Sequence, residues 1–97
     1  MLFAVLFTDK PGCAELRARH LQPHIQWVRE NQGRVLVAGS LRTEPEAVAK
    51  GGLWIVEAAS RQEVEELMQT DPFHVCGLRQ SWEILHWRKA LDQKVLV

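Results

Sequence analysis

"RVLVAGSL", residues 34–41, and "LWIVEA", residues 53–58, enclose "RTEPEAVAKGG", residues 42–52, and the reading of this stretch decides the fold. Both flanks are short apolar runs rich in strand formers, so each reads as a strand. The middle is polar, with Pro45 and a glycine pair, and reads as a loop. Two strands therefore follow one another with no helix between them. Upstream, residues 14–31, "AELRARHLQPHIQWVREN", carry helical periodicity, with Gly33 as a candidate C-cap. Pro23 in mid-pattern predicts a kink or a break into two helical pieces. Before this helix, "LFAVLF", residues 2–7, is a strand that stops at the turn cluster "TDKPG". Downstream, "SRQEVEELMQT", residues 60–70, is a helix opened by a Ser60-x-x-Glu63 capping box. "SWEILHW", residues 81–87, alternates with period two and is the last strand. The order β-α-β-β-α-β predicts an α+β, ferredoxin-like split βαβ fold, an antiparallel sheet with both helices on one face. No repeat or low-complexity segment interrupts it. A tail from about residue 89 ends apolar and has no partner in four strands, which leaves it free to pair elsewhere, including on a second subunit.

The 97 residues are 46% hydrophobic and 25% charged, which suits a single domain over 1–97 burying roughly 60–65% of its unfolded-chain surface. Twelve basic residues balance twelve acidic ones. No net field gathers nucleic acid or an anionic membrane, so small neutral ligands or a protein partner fit better. Cys13 and Cys76 lie far apart and form no metal-binding spacing. They read as reduced thiols, with no disulfide framework. The opening "MLFAVLFTDK" lacks a basic start and is too short to span a bilayer, so it is neither signal peptide nor membrane helix. The expected compartment is the cytoplasm.

An ionisable residue closes the second helix where the pattern wants an apolar one. Val64, Leu67 and Met68 form its inward stripe, and Asp71 follows them by seven, four and three residues. Asp71 thus points toward the core, and Pro72 makes it the stopping point of the helix. A carboxylate there faces the negative end of the helix dipole and loses water, so a compensating partner is required. The first helix offers one. Its apolar arc has Leu16 and Trp27 on one border and Leu21, Ile25 and Val28 on the other, with Arg17, His20, His24 and Asn31 between. Polar groups in the middle of a buried arc predict a wet pocket between helix and sheet.

Each of these residues also has a plainer reading. His20 and His24 can be half-buried, hydrogen-bonded histidines, and Asp71 a turn acid that accepts backbone N–H groups. His74 and His86 read as surface or strand-face residues, and Trp27, Trp54, Trp82 and Trp87 as core or interface area first and pocket walls second. His20 and His24 are four apart, but without a third ligand they do not make a metal site. No metal or cofactor is expected.

Taken together, "MLFAVLFTDKPG", a helical His24, "VLVAGSL" with Gly39 fifteen residues further on, "GGLWIVEA", and "TDPFHVCGL" followed by "EILHW" resemble the YCII (YciI-like) family over residues 1 to about 88. The resemblance implies a ferredoxin-like fold that dimerises into an α/β barrel, with a histidine and an aspartate in a cleft at the positions of His24 and Asp71. Many members carry Arg-Pro-Ala-His where this chain has "LQPH", and AGP where it has "AGS". Leu21 thus stands at a frequent arginine and Ser40 at a frequent proline, while Arg17, one turn earlier, is placed to substitute. The candidate catalytic residues are His24 and Asp71, and the candidate substrate-binding residues are Arg17, His20 and Ser40.

A histidine oriented by a carboxylate can take a proton from carbon or oxygen and return one elsewhere. The resemblance includes a dehydrochlorinase-like member acting on a chlorinated, hydroxylated aromatic, which implies lyase-type elimination on a small aromatic or enol-like substrate. The alternative is a non-catalytic module that holds a small ligand on the same dimeric fold. No nucleophile elbow, phosphate loop or haem-attachment motif points to another enzyme class.

Overall fold

A computed structural model describes residues 1–94. The apolar end of the tail, residues 95–97, lies outside the described residues. Four strands, β1 (Leu2–Asp9), β2 (Val35–Leu41), β3 (Gly51–Glu57) and β4 (Arg79–Trp87), form one antiparallel sheet in the order β2-β3-β1-β4. The helices are α1 (Ala14–Glu30), α2 (Arg61–Met68) and a single turn, α3 (Pro72–Val75). This is the expected split βαβ arrangement. Among the described residues, no helix is long and apolar enough to cross a membrane.

Period-two alternation sorts the side chains onto two faces. Phe3, Val5 and Phe7 of β1 turn to the helices beside Val56, Trp54 and Gly52 of β3 and His86, Ile84 and Trp82 of β4. With Trp27 of α1 and Val64, Leu67 and Met68 of α2 they bury the core. The opposite face carries Leu2, Leu6, Leu53, Ile55, Leu85 and Trp87. Leu85 and Trp87 are exposed there.

Four local expectations are corrected. Pro23 neither breaks nor divides α1, because both Pro23 and Arg19, whose carbonyl loses its i+4 partner, lie on the exposed side where water serves that carbonyl. The helix ends on Asn31, whose backbone N–H reaches the Trp27 and Val28 carbonyls and whose Nδ2 donates to Trp27 O (2.7 Å). Gly33 does not adopt the left-handed conformation of a C-cap; among the described residues only Gly12 and Gly77 have positive φ. The glycine pair 51–52 belongs to β3 rather than to the loop, since a Cβ on Gly51 would stand 1.8 Å from Phe7 O. Only glycine lets the two strands pair here. Finally, β4 starts at Arg79, two residues early, and α3 is too short to show in a periodicity search.

The capping box of α2 holds with one variation. Ser60 Oγ accepts from the Glu63 N–H (3.2 Å), while Glu63 Oε2 accepts from the N–H of Ala59 rather than of Ser60 (3.0 Å).

Candidate active site

Pro72 at the first position of α3 sets Asp71 in an extended conformation (φ −67°, ψ 128°), so Asp71 is the N-cap of α3 as well as the end of the α2 segment. Its Oδ1 accepts from the Phe73 N–H at 3.1 Å. The unfavourable dipole expected from α2 is thereby answered by an amide donor of the next turn. The same Oδ1 lies 2.7 Å from His24 Nδ1, with Asp71 fully buried and the His24 side chain only 12% exposed. The orienting role and the turn role of Asp71 are therefore held together. An ionised carboxylate can only accept, so with Asp71 in that form the contact requires the His24 tautomer whose Nδ1–H donates. The imidazole stacks on Phe73 (centroids 4.1 Å apart, planes at 14°), which fixes its tilt. Behind it Trp27 packs on Trp54 (5.0 Å) and donates its Nε1–H to Thr70 Oγ1 (2.8 Å).

A second polar group adjoins this pair. Asp9, at the β1 terminus, accepts from two arginines: Arg79 Nη1 on Oδ1 at 2.7 Å and Arg17 Nη1 on Oδ2 at 3.2 Å. Arg79 is buried, its guanidinium 4.3 Å from the centre of the Phe7 ring and 5.1 Å from that of Phe73. Arg17 sits 4.9 Å from the centre of the same Phe73 ring. Burial pushes the Arg17 guanidinium below its ordinary value; Asp9 opposes this, while Arg79 and Arg42 add to it. Phe73 is thus the shared partner of His24, Arg17 and Arg79.

A family model described as the YCII-related domain matches residues 1–88. The chain belongs to the YCII family. No curated protein matches it. Among solved structures, the YCII chain is similar to 5-chloro-2-hydroxyhydroquinone dehydrochlorinase from Burkholderia phenoliruptrix, solved in complex with 2,5-dihydroxybenzoquinone. The identity is 25%, covering 91% of this chain and 94% of that one, with a TM-score of 0.83. A protein of Arabidopsis thaliana matches at 11% identity over 96% of this chain and 98% of that one, with a TM-score of 0.49.

In this YCII chain, His24, Arg17 and Ser40 line one cavity of about 430 Å³ between α1 and the β2–β3 side of the sheet, within the size range of small-ligand sites. This is the pocket that the polar arc of α1 anticipates. His20 is half-buried and is not among the lining residues. Ser40 Oγ accepts from Arg42 Nη2 (2.7 Å). Leu21, at the frequent arginine position, lines the wall as an apolar group. Asp71 stays behind His24, outside the lining. Sequence reading missed Asp9, Arg79 and Phe73, whereas Trp54, whose second reading was a pocket wall, lines the cavity. Asp9 and Arg79 are 70 residues apart and join only through the β1–β4 pairing. No local signal marks Arg79, which lies two residues before the alternating run of β4. Among the described residues, no three His, Cys, Asp or Glu side chains gather as a metal site.

Proposed function

We propose that the protein is a cytoplasmic small-molecule enzyme that eliminates a leaving group from a hydroxylated aromatic or enol-like substrate, with His24 as the general acid and base and Asp71 holding it. The observation that carries this reading is the 2.7 Å His24–Asp71 contact beside a cavity of about 430 Å³. Asp71 fixes the tautomer, so Nε2 removes a ring hydroxyl proton and returns it to the carbon bearing the leaving group. Loss of a second hydroxyl proton then expels the leaving group as an anion, and no oxidant is needed. Arg17 and Ser40 stand in the cavity wall to orient the ring, and His20 does not line it. The likeness to a dehydrochlorinase at a TM-score of 0.83 supports the same class of chemistry, and the two free cysteines fit a reducing compartment.

The experiment is a thermal-shift screen of phenols, quinols and halogenated acids, followed by turnover of each binder with anion release as the readout. Release by the wild type and its loss in His24→Ala supports the reading. Tight binders that are never turned over would leave a ligand-holding module instead.

The working unit in this proposal is a homodimer. The face opposite the helices exposes Leu85 and Trp87 beside Leu2 and Leu6, and an apolar sheet face of this kind calls for a cover. Leu53 and Ile55 turn to this face, whereas Trp82, Ile84 and His86 turn to the helices. Sedimentation velocity at micromolar concentration should show a dimer; a monomer unchanged on concentration contradicts it.

A further inference from the structure

The overall charge balance of this chain hides a local imbalance. Three arginines and one histidine line the cavity, Arg17, Arg29, Arg79 and His24, and no aspartate or glutamate does. Behind the wall, Asp9 is the ion-pair partner of both Arg17 and Arg79, while Asp71, whose charge also acts on Arg17, is engaged by His24 and the Phe73 N–H. Of the two cavity arginines paired to Asp9, Arg79 has less access to water: its side chain is 2% exposed against 14% for Arg17, and among the described residues its Nε has no hydrogen-bond partner. Its ion-pair partner, Asp9, is shared with Arg17, so an incoming anion can complete the pair of guanidiniums. The slot that Arg79 occupies is built into the sheet, because a Cβ on Gly52 would stand 3.7 Å from both of its terminal nitrogens and 3.0 Å from Gly39 O. The other side of the cavity is apolar, with Ile25, Val28 and Trp54.

We propose that Arg79, with Arg17, is a specificity-determining residue that selects a small planar organic anion, its apolar ring against Trp54 and its charged oxygen toward the paired guanidiniums. This deepens the catalytic reading above by naming the charge state of the substrate, and it rests on that reading for the identity of the site. A neutral phenol offers the arginines only a weak acceptor, whereas an ionised hydroxyl or a carboxylate gives a charge-assisted contact in a place from which water is largely excluded. The anion also carries the electron density that the elimination pushes toward the leaving group.

The test measures binding alone, so it is independent of turnover. Calorimetric titration at neutral pH uses 2,5-dihydroxybenzoquinone, an acidic quinone that is ionised under these conditions, benzoate as the carboxylate, and neutral hydroquinone. The anions should bind the wild type about tenfold or more tightly than hydroquinone, and added salt should weaken them selectively. Comparable affinity for quinone and benzoate identifies any planar oxyanion as the ligand, and a preference for the quinone narrows it to an ionised ring hydroxyl. Arg79→Met should lower anion affinity about tenfold and leave hydroquinone within twofold, and Arg79→Lys should restore part of the loss. If Arg79→Met does not fold, Arg17→Met, at the less buried end of the pair, carries the same expectation. Equal binding of neutral and charged probes, equal loss of both in the variant, or no binding of either anion at millimolar concentration overturns the proposal. Anion binding without turnover would instead sink the catalytic reading and leave this one standing.

Discussion

Asp9 and Asp71 are both buried carboxylates at the ends of regular elements, yet their partners differ in kind. Asp9 meets two guanidiniums that stay charged at any pH the protein experiences. Asp71 meets one amide and one imidazole, and the imidazole is a group that can gain and lose a proton near neutrality. Phe73 stands between the two sets, stacked on His24 and within reach of Arg17 and Arg79. Burial alone therefore does not mark a carboxylate as catalytic. What sets Asp71 apart from Asp9 is an imidazole partner placed against a cavity.

The comparison breaks most sharply on paired isosteric changes. Asp71→Asn keeps the shape and the cap to Phe73 but removes the charge that favours an imidazolium, so turnover should fall by roughly 10²–10⁴ with thermal melting little changed. Steady-state kinetics on the screened substrate, beside a melting curve, checks both halves. Asp9→Asn should do the reverse. It removes the charge that both guanidiniums share, one of them buried in the cavity wall, and should cost about 3 kcal/mol of stability in urea unfolding. A stable Asp9→Asn protein with lost turnover would mean that the two carboxylates have been assigned the wrong way round.

The difference between the two was also a difference in legibility. Asp71 could be found because helix phase relates it to Val64, Leu67 and Met68 a few residues away, and the same phase put Arg17 and His24 on the pocket side of α1. The β-α-β-β-α-β order followed from equally local signals. Asp9 and Arg79 had no such signal: "TDKPG" reads as a turn, and Arg79 lies two residues before the alternating run that marks β4. Their contact depends on the β1–β4 register and on the irregularity between Thr8 and Asp9, and neither is encoded within a window of one element. Gly51 and Gly52 misled for a related reason. In isolation a glycine pair signals a loop, whereas here it lets β3 approach Phe7 O and leaves room for the Arg79 guanidinium.

A smaller effect sharpens the same contrast. Gly52→Ala adds a methyl 3.0 Å from Gly39 O and 3.7 Å from Arg79 Nη1 and Nη2. We expect a loss of about 1–2 kcal/mol in stability and a severalfold weaker affinity for planar anions. The His24–Asp71 contact should be unaffected, as read from the imidazole resonances by NMR. A change at His24 as large as that at the arginines would show that the two sets are one mechanical unit.

The central claim is that His24 and Asp71 act as one acid–base device, and a double-substitution cycle tests it most directly. Anion release from a substrate that the wild type turns over is measured for His24→Ala, Asp71→Asn and the protein carrying both changes. Each single change should cost about the same and the double little more than either, because a device of two parts fails once. Losses that multiply, or full activity in both single variants, would contradict it and leave Asp71 as the cap of α3 alone.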